Sequence, residues 1–433
     1  MFNATYQLYI KTFFNNKFKR PVIKKGLPTR IIPFPPDLAI VGEEEAKAVA
    51  RVIFSKRLSV STGHVVKKFE KEFSKFIGIR HAIATSSGTT ALHTALAALE
   101  IGPGDEVMVP AVTYMATAMS VLHQNAIPKF IDIDLESGNI SPSCIESSIS
   151  KRTKAIIVVH LSGIPAPMKE IIDIAKKHNI FVIEDAAQAT GSYYHGKRVG
   201  SIGDIGCFSF HESKNMTTGE GGMIVTNNDN IAYRAKLIIN TGESYLNDTP
   251  TIEQSSFYGQ VKYVCIGYNY RMGEIQAAIG LEQLKKFNRL AETRYNNGMF
   301  LMRALKQFNY IILPVFDPES KPIFNSFYFR VKPESPINRD QLYNMLQREG
   351  ITSSKPYYSI LNENPLFAAK IGYGKSKCPF ECEKFNERRD IEIPKLTNAY
   401  LWNLQALGLP THPNIRIEDL KDAIKTLAKV STI

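Results

Sequence analysis

The chain has 433 residues, 44% hydrophobic and 22% charged, a globular composition with length enough for two or three domains. That excludes a disordered or collagen-like chain and a core that needs disulfides or a metal to hold it. A formal net charge of +12 admits nucleic acid, a membrane surface or anionic small molecules as partners, but no recognisable nucleic-acid module accompanies it.

Residues 1–30 form a basic, aromatic extension. Lys11, Lys17, Lys19, Arg20, Lys24, Lys25 and Arg30 occur there without any Asp or Glu, interleaved with Phe2, Tyr6, Tyr9, Phe13, Phe14 and Phe18. The run lacks the unbroken apolar core of a signal peptide or transmembrane helix. It reads as a poorly ordered or partner-docking terminal extension, or as a surface arm for anionic lipid. No later stretch is apolar enough to span a membrane and no short repeat is present, so a soluble cytoplasmic protein is expected.

From about residue 40, helical and strand-like patterns alternate. Helices are predicted over 43–54 and 67–77, a strand over 81–85, and an Ala- and Leu-rich helix over 89–99. A strand over 106–110 stops at Pro110; a helix over 117–123 and a strand over 128–132 follow. A buried strand over 155–159, a helix over 168–178 and a strand over 181–185 complete the clear part. This alternation, with near-continuous apolar strands, argues for an α/β fold with a mostly parallel sheet covered on both faces. The pattern weakens near residue 240. Residues 254–266 read as a loop, followed by two helices over 273–287 and 288–308. A smaller α+β unit takes the remainder: a strand over 326–332, helices over 339–349 and 417–430, and an irregular stretch over 370–400. The division is placed near 290, giving an extension 1–30, a large domain 31–290 and a small C-terminal domain 291–433.

Five scattered cysteines, Cys144, Cys207, Cys265, Cys378 and Cys382, fit a reducing compartment. Cys378 and Cys382 are four apart with no second pair nearby, and no metal is expected.

Four local features carry chemistry. Ser86-Ser87-Gly88-Thr89-Thr90 follows a strand and opens a helix, where small residues let amides and hydroxyls approach an anion; a simple helix cap reads the same way. Asp185 ends a strand, the edge at which open α/β sheets bind ligands; there it either holds a heterocycle nitrogen protonated or caps a helix. Lys214 lies between the apolar run ending at Phe210 and the turn Gly219-Glu220-Gly221-Gly222. A lysine so placed is a candidate amine nucleophile if burial depresses its pKa, and an ordinary solvated charge otherwise. Ser209, five residues upstream, adds a hydroxyl. Gly267-Tyr268-Asn269-Tyr270-Arg271 is a polar, aromatic loop before a helix. In order, anion site, acid and lysine suit pyridoxal phosphate, which needs a phosphate cradle, a carboxylate against its ring nitrogen and a lysine for its aldehyde. Tyr114, after the strand ending at Pro110, would supply an aromatic face.

On these residues the chain resembles the DegT/StrS family of sugar aminotransferases, within the fold type I pyridoxal-phosphate enzymes. The resemblance runs from about Gly42 to the C-terminus. It rests on Phe69-Glu70, Ser87-Gly88-Thr89, Gly104-Asp105-Glu106-Val107, Glu184-Asp185-Ala186-Ala187-Gln188, Phe208-Ser209-Phe210 with Lys214, the Gly219–Gly222 turn, Tyr268-Asn269-Tyr270-Arg271, and Leu409-Pro410-Thr411-His412-Pro413. It implies a three-layer large domain with a smaller C-terminal domain, and Lys214 as the Schiff-base lysine and proton shuttle. Asp185 would pair with the pyridine nitrogen and Gln188 would contact the ring hydroxyl. Gly88, Thr89 and Ser209 would hold the phosphate, and Tyr114 would stack on the ring. Asn269 would reach the cofactor of a neighbouring subunit, so a homodimer with shared sites is implied. The implied activity moves an amino group from glutamate or glutamine to a keto-sugar, expected to be linked to a nucleotide, in surface-polysaccharide or secondary-metabolite biosynthesis. Some relatives carry His in place of this lysine and act as dehydratases, and Lys214 argues against that; a dehydratase using the lysine itself remains open. Ser326, Pro356 and Leu361 stand where nucleotide-sugar members often carry His. The segments 362–366 and 378–382 look more like the ketocyclitol branch, which leaves scyllo-inosose-type acceptors as the alternative.

Overall fold

The computed structural model describes residues 28–244, 262–356, 360–381 and 396–429. Seven strands make its main sheet: β1 (His81–Thr85), β2 (Glu106–Pro110), β3 (Ile127–Ile131), β4 (Thr153–Val159), β5 (Phe181–Asp185), β6 (Ile205–Ser209) and β7 (Gly222–Thr226). Their order is β1-β7-β6-β5-β4-β2-β3. β7 runs antiparallel to both neighbours and the other pairs are parallel.

Successive side chains of a strand point to opposite faces, and here both faces are apolar. Ala155 and Ile157 of β4 join one hydrophobic core, while Ile156 and Val158 join another. Val107 and Val109 divide from Met108 in the same way, as Ile224 does from Met223 and Val225. A sheet of this kind needs helices on each side. The first core takes α3 (Gly88–Ala98), α4 (Ala116–His123) and α7 (Asp229–Ile239). The second takes α2 (Val65–Ile77), α5 (Pro142–Ser148), α6 (Met168–His178) and α8 (Glu274–Leu305). On α2, Phe69 and Phe73 are four apart and meet Phe208 and Phe210, with ring centroids 5.1–5.5 Å apart. A further helix, α1 (Glu43–Ser55), packs Ala48 and Val52 on Ala278 of α8.

One continuous α8 of 32 residues replaces the two helices expected over 273–308, and residue 290 lies inside it. Nothing in its interior stops it, because the buried positions Phe287, Leu290, Ala291, Arg294 and Leu301 keep the helical spacing across that point. Its C-terminal end enters a third core with Leu301 and Leu305. That core also holds an antiparallel sheet of β8 (Ile311–Ile312), β9 (Phe327–Val331) and β10 (Ala406–Leu409). Helices α9 (Arg339–Arg348) and α12 (Ile417–Ala428) pack into it, while α10 (Pro365–Ala368) and α11 (Thr397–Gln405) carry Phe367, Ala399 and Trp402 into the first core; α11 falls partly within the stretch expected to be irregular.

Of the basic extension, residues 1–27 lie outside the described residues, as do 254–261 of the expected loop and Cys382 of the cysteine pair. Among the described residues no helix is long and apolar enough to cross a membrane, and no group of three metal-ligating side chains occurs.

Candidate active site

Because β1, β2, β4, β5 and β6 point the same way, their carboxyl ends share one edge of the sheet. Each delivers a polar residue there. At the end of β1, the Ser87 hydroxyl accepts the Thr90 amide at 3.1 Å and caps α3. The cap reading of this motif therefore holds for Ser87. It leaves Gly88 and Thr89 in the first turn, where amides have no intrahelical partner and the helix end carries positive potential. Gly88 is required by what it meets: a Cβ there would lie 2.7 Å from the Ser209 Cβ and 3.2 Å from its Oγ. The Gly88 backbone and the Ser209 hydroxyl, at the end of β6, thus stand side by side. They make a small cradle suited to a phosphate.

Asp185 ends β5 and is only 6% exposed. Its Oδ2 accepts the Thr117 hydroxyl at 2.9 Å and its Oδ1 accepts the Ala187 amide at 3.2 Å. Burial pushes the carboxyl above the ordinary aspartate value, while the Thr117 and Ala187 bonds and the nearby charge of Lys214 pull it back. Lys214 retains some exposure yet is closely surrounded by protein. Burial holds its ammonium below the ordinary lysine value, with the Asp185 carboxylate acting in the opposite sense. The two charges therefore feel each other across one site.

Gln188, three residues past Asp185, is buried, and its Oε1 accepts the Ser162 amide at 2.8 Å. That bond fixes the orientation of the Gln188 carboxamide, with its oxygen turned toward Ser162. Tyr114 follows β2 and is half-exposed at the mouth, its carbonyl accepting the Thr117 amide at the foot of α4. Asn269 is exposed, on a loop whose next residue, Tyr270, accepts the Ser86 amide at 2.8 Å. Leu361 donates its amide to the Ala111 carbonyl, which brings the segment after residue 360 to the same rim.

Three residues escaped the sequence reading. Thr117 bonds Asp185; its signal was the i,i+4 spacing from Thr113, whose hydroxyl lies 3.1 Å away. His160 follows β4 at the same edge as Asp185. Its Nδ1 accepts the Ala166 amide, so the proton sits on Nε2 and is donated to Glu184 at 3.0 Å. Glu184 also accepts the amides of Gly200, Ile202 and Gly203, so this half of the Glu184-Asp185 pair braces the fold. Ser162, in left-handed conformation (φ 57°), holds Gln188.

The donor set can be tested against pyridoxal phosphate. A cradle that a Cβ would fill, a buried carboxylate and a lysine with a depressed pKa fit its phosphate, ring nitrogen and aldehyde in turn.

Comparison with known proteins points the same way. Residues 39–428 match the model of the DegT/DnrJ/EryC1/StrS aminotransferase family. The chain is 36% identical over 371 residues to GDP-perosamine synthase of Caulobacter vibrioides, covering 86% of this chain and 91% of that protein. The fold matches that of an aminotransferase from Psychrobacter cryohalolentis with a TM-score of 0.82 and 31% identity, over 92% of this chain and 99% of that one. It also matches S. venezuelae DesV, solved in complex with a ketimine intermediate, with a TM-score of 0.76 and 29% identity, over 89% and 94% of the two chains.

Proposed function

This chain belongs to the DegT/DnrJ/EryC1/StrS aminotransferase family and is a pyridoxal-phosphate-dependent aminotransferase, and on that premise we propose that it moves an amino group from glutamate or glutamine to a nucleotide-linked keto-sugar. The observation that carries the proposal is the pairing of Lys214, its ammonium destabilised by burial, with buried Asp185 beside the Gly88–Ser209 cradle. Similarity to a GDP-perosamine synthase supports an acceptor carried on a nucleotide.

In this reading the Gly88 and Thr89 amides and the Ser209 hydroxyl hold the phosphate. Asp185 faces the ring nitrogen, Gln188 turns its amide nitrogen to the ring hydroxyl, and Tyr114 covers one ring face. Asn269 of a second copy of the chain reaches the same phosphate, which makes a homodimer the working unit. Bound pyridoxal phosphate supplies an electron sink for the carbanion formed when the donor loses its α-hydrogen. The Nζ of Lys214 would take up that proton and hold it for return later in the reaction. It serves the keto-sugar in the reverse order. An amine can do both only if it is neutral at working pH, which burial favours. The Thr117 hydroxyl and the Ala187 amide donate to Asp185 and favour its ionised form against the effect of its burial.

The test is a screen of purified protein with glutamate or glutamine against nucleotide-linked keto-sugars and inososes, read by mass. Gain of an amine on a nucleotide-linked sugar is the expected result. Turnover of inososes alone would overturn the nucleotide-linked acceptor, and loss of water would overturn amino transfer. Lys214→Ala is expected to cut turnover by roughly 10²–10⁴, the range of a positioned acid–base group, and to change the absorbance of the bound cofactor. A Lys214→Ala protein with full activity would refute the role given to this lysine.

A further inference from the structure

Between the main sheet and the C-terminal core, residues 323–325 cross directly behind the lysine turn. Three of their contacts admit little freedom. Gly163 is in the left-handed region (φ 88°), and a Cβ there would sit 2.0 Å from the Ile323 carbonyl oxygen. The Asn215 amide nitrogen donates to that same carbonyl at 3.3 Å. The Ser192 hydroxyl donates to the Gly163 carbonyl and accepts the Ile323 amide.

Asn325 closes the set. Its backbone amide donates to the Ser162 carbonyl at 2.9 Å, and the Ser162 amide in turn donates to Gln188. Its side-chain nitrogen donates to Asn215 Oδ1 at 3.2 Å and to the Ser213 carbonyl at 3.4 Å, the two residues on either side of Lys214. Its carbonyl accepts Nη1 of Arg294 at 3.1 Å. Arg294 is a buried cation on α8 whose Nε has no hydrogen-bond partner. Asp37, its nearest carboxylate, is 4.0 Å away. A buried, incompletely paired charge opposes folding, so the Asn325 carbonyl is a substantial part of what holds it.

We propose that Asn325 is a positioning residue, fixing the lysine turn through Ser213 and Asn215 and the Gln188 side chain through Ser162, with Arg294 as its anchor. The proposal rests on the reading of Lys214 as the reactive amine. One residue of the segment that leads into β9 then sets two side chains of the site at once. A change in the packing of the C-terminal part is felt at the lysine without any of its side chains touching the reacting atoms.

The test separates this role from the assignment of Lys214 by labelling lysines in the protein without cofactor. Acetylation at a series of pH values, read by peptide mass, gives each lysine its own titration. Lys214 is expected to label at lower pH than exposed Lys47. In Asn325→Ala the turn loosens, water reaches the amine, and the Lys214 midpoint is expected to rise by about one pH unit toward the ordinary value, with Lys47 unmoved. Asn325→Leu keeps about the size but deletes the donor without adding a charge, and is expected to shift Lys214 in the same way; it decides the matter should the alanine variant fold poorly. In the complete enzyme both variants are expected to lower kcat about tenfold, the equivalent of one positioned hydrogen bond, with little change in the KM for the amino donor. Unmoved Lys214 titration in Asn325→Leu, or wild-type kcat in that variant, would overturn the proposal. An inactive enzyme with normal Lys214 titration in every variant would count against the proposed reaction and the positioning role separately, since the two readouts share no step.

Discussion

Thr117 donates a hydrogen bond to the buried acid at the end of β5. Asp185 lies on the end of β5 with Oδ2 on the Thr117 hydroxyl at 2.9 Å, and its carboxyl is already raised by burial. A hydrogen bond to a charged group contributes about 1.5–3 kcal/mol, so this hydroxyl favours the ionised form of Asp185 against its burial. Thr117→Val keeps the shape and deletes the donor. Its expected effect is a fall in kcat/KM of about 10–100-fold by that arithmetic. The sign of the pH effect follows from the shift. Losing a bond that lowers the pKa raises it further, so protonation starts at higher pH and the acidic limb of the kcat/KM profile moves upward. Thr117→Ser, which keeps the hydroxyl, is expected to leave the limb in place. A Thr117→Val profile that overlays the wild type would show that Asp185 is held ionised by other groups.

At the scale of elements, the junction of α2 with β1 shows a motif that signals function while acting on stability. Phe69 and Glu70 are adjacent on α2. Phe69 enters the aromatic core, and Glu70 Oε1 accepts the Ala84 amide of β1 at 2.9 Å. Burial raises the Glu70 carboxyl to about 7, against the bond from Ala84 and the charges of Lys236 and Lys67, with Glu274 adding to the rise. A folded-state pKa above the unfolded value means that the native state binds more protons between pH 4.5 and 7. Stability from this group is therefore full at low pH and lost as pH rises to 7. The shift corresponds to about 3 kcal/mol, reduced to about 2 by the partial exposure of the side chain. Glu70→Gln keeps the acceptor for Ala84 without the charge, so it is expected to be the more stable protein at pH 8 by about that amount, and equal at pH 4.5, in urea unfolding. The sequence made β1, α2 and most of the sheet legible because period-two and period-3.6 burial are written in apolar residues, as in Ala155 to Val159. It made Lys214 and Asp185 legible because each follows an apolar strand. β7 and α7 were missed: both lie before residue 240, where the alternation was read as weakening, and the glycine-rich turn that opens β7 hides the start of the strand. The break assigned inside α8 was wrong for a related reason, since a polar run such as Asn288-Arg289 looks like a loop but lies on the solvent side of a helix whose buried face is continuous. Asn325 could not be read at all and Thr117 showed only its spacing from Thr113, because their partners lie 112 and 68 residues away.

Over the whole molecule, the chain's first described residues are fastened to its last helix. Arg30 Nη1 lies 2.8 Å from Asp419 Oδ1 and 3.0 Å from Asp422 Oδ2, and its guanidinium covers the Phe34 ring. Thr29 donates its amide and hydroxyl to Glu349, which also takes Lys429. Arg30, counted from the sequence as part of a basic extension, is thus a structural residue of the C-terminal core, and the charge pattern alone gave no sign of it. The Asp419 side chain is almost fully buried. Burial acts to raise its carboxyl, but bonds from Arg416 and Arg30 outweigh this and hold it below the ordinary aspartate value. Arg30→Ala strips one cation from a buried carboxylate and leaves Arg416. Breaking a buried pair outright costs about 3–5 kcal/mol; with one partner retained the expected loss is about 2 kcal/mol, read as a lower urea midpoint. Because the pair is shielded from solvent, the loss is expected to be the same in dilute buffer and at high ionic strength, whereas a surface pair would be screened. The strap lies on α12 and α9, away from the carboxyl edge of the main sheet, so turnover per folded molecule is expected to match the wild type. A drop in kcat at full folding would mean instead that the packing of the C-terminal core sets the geometry at Lys214, the coupling that Asn325 is placed to transmit.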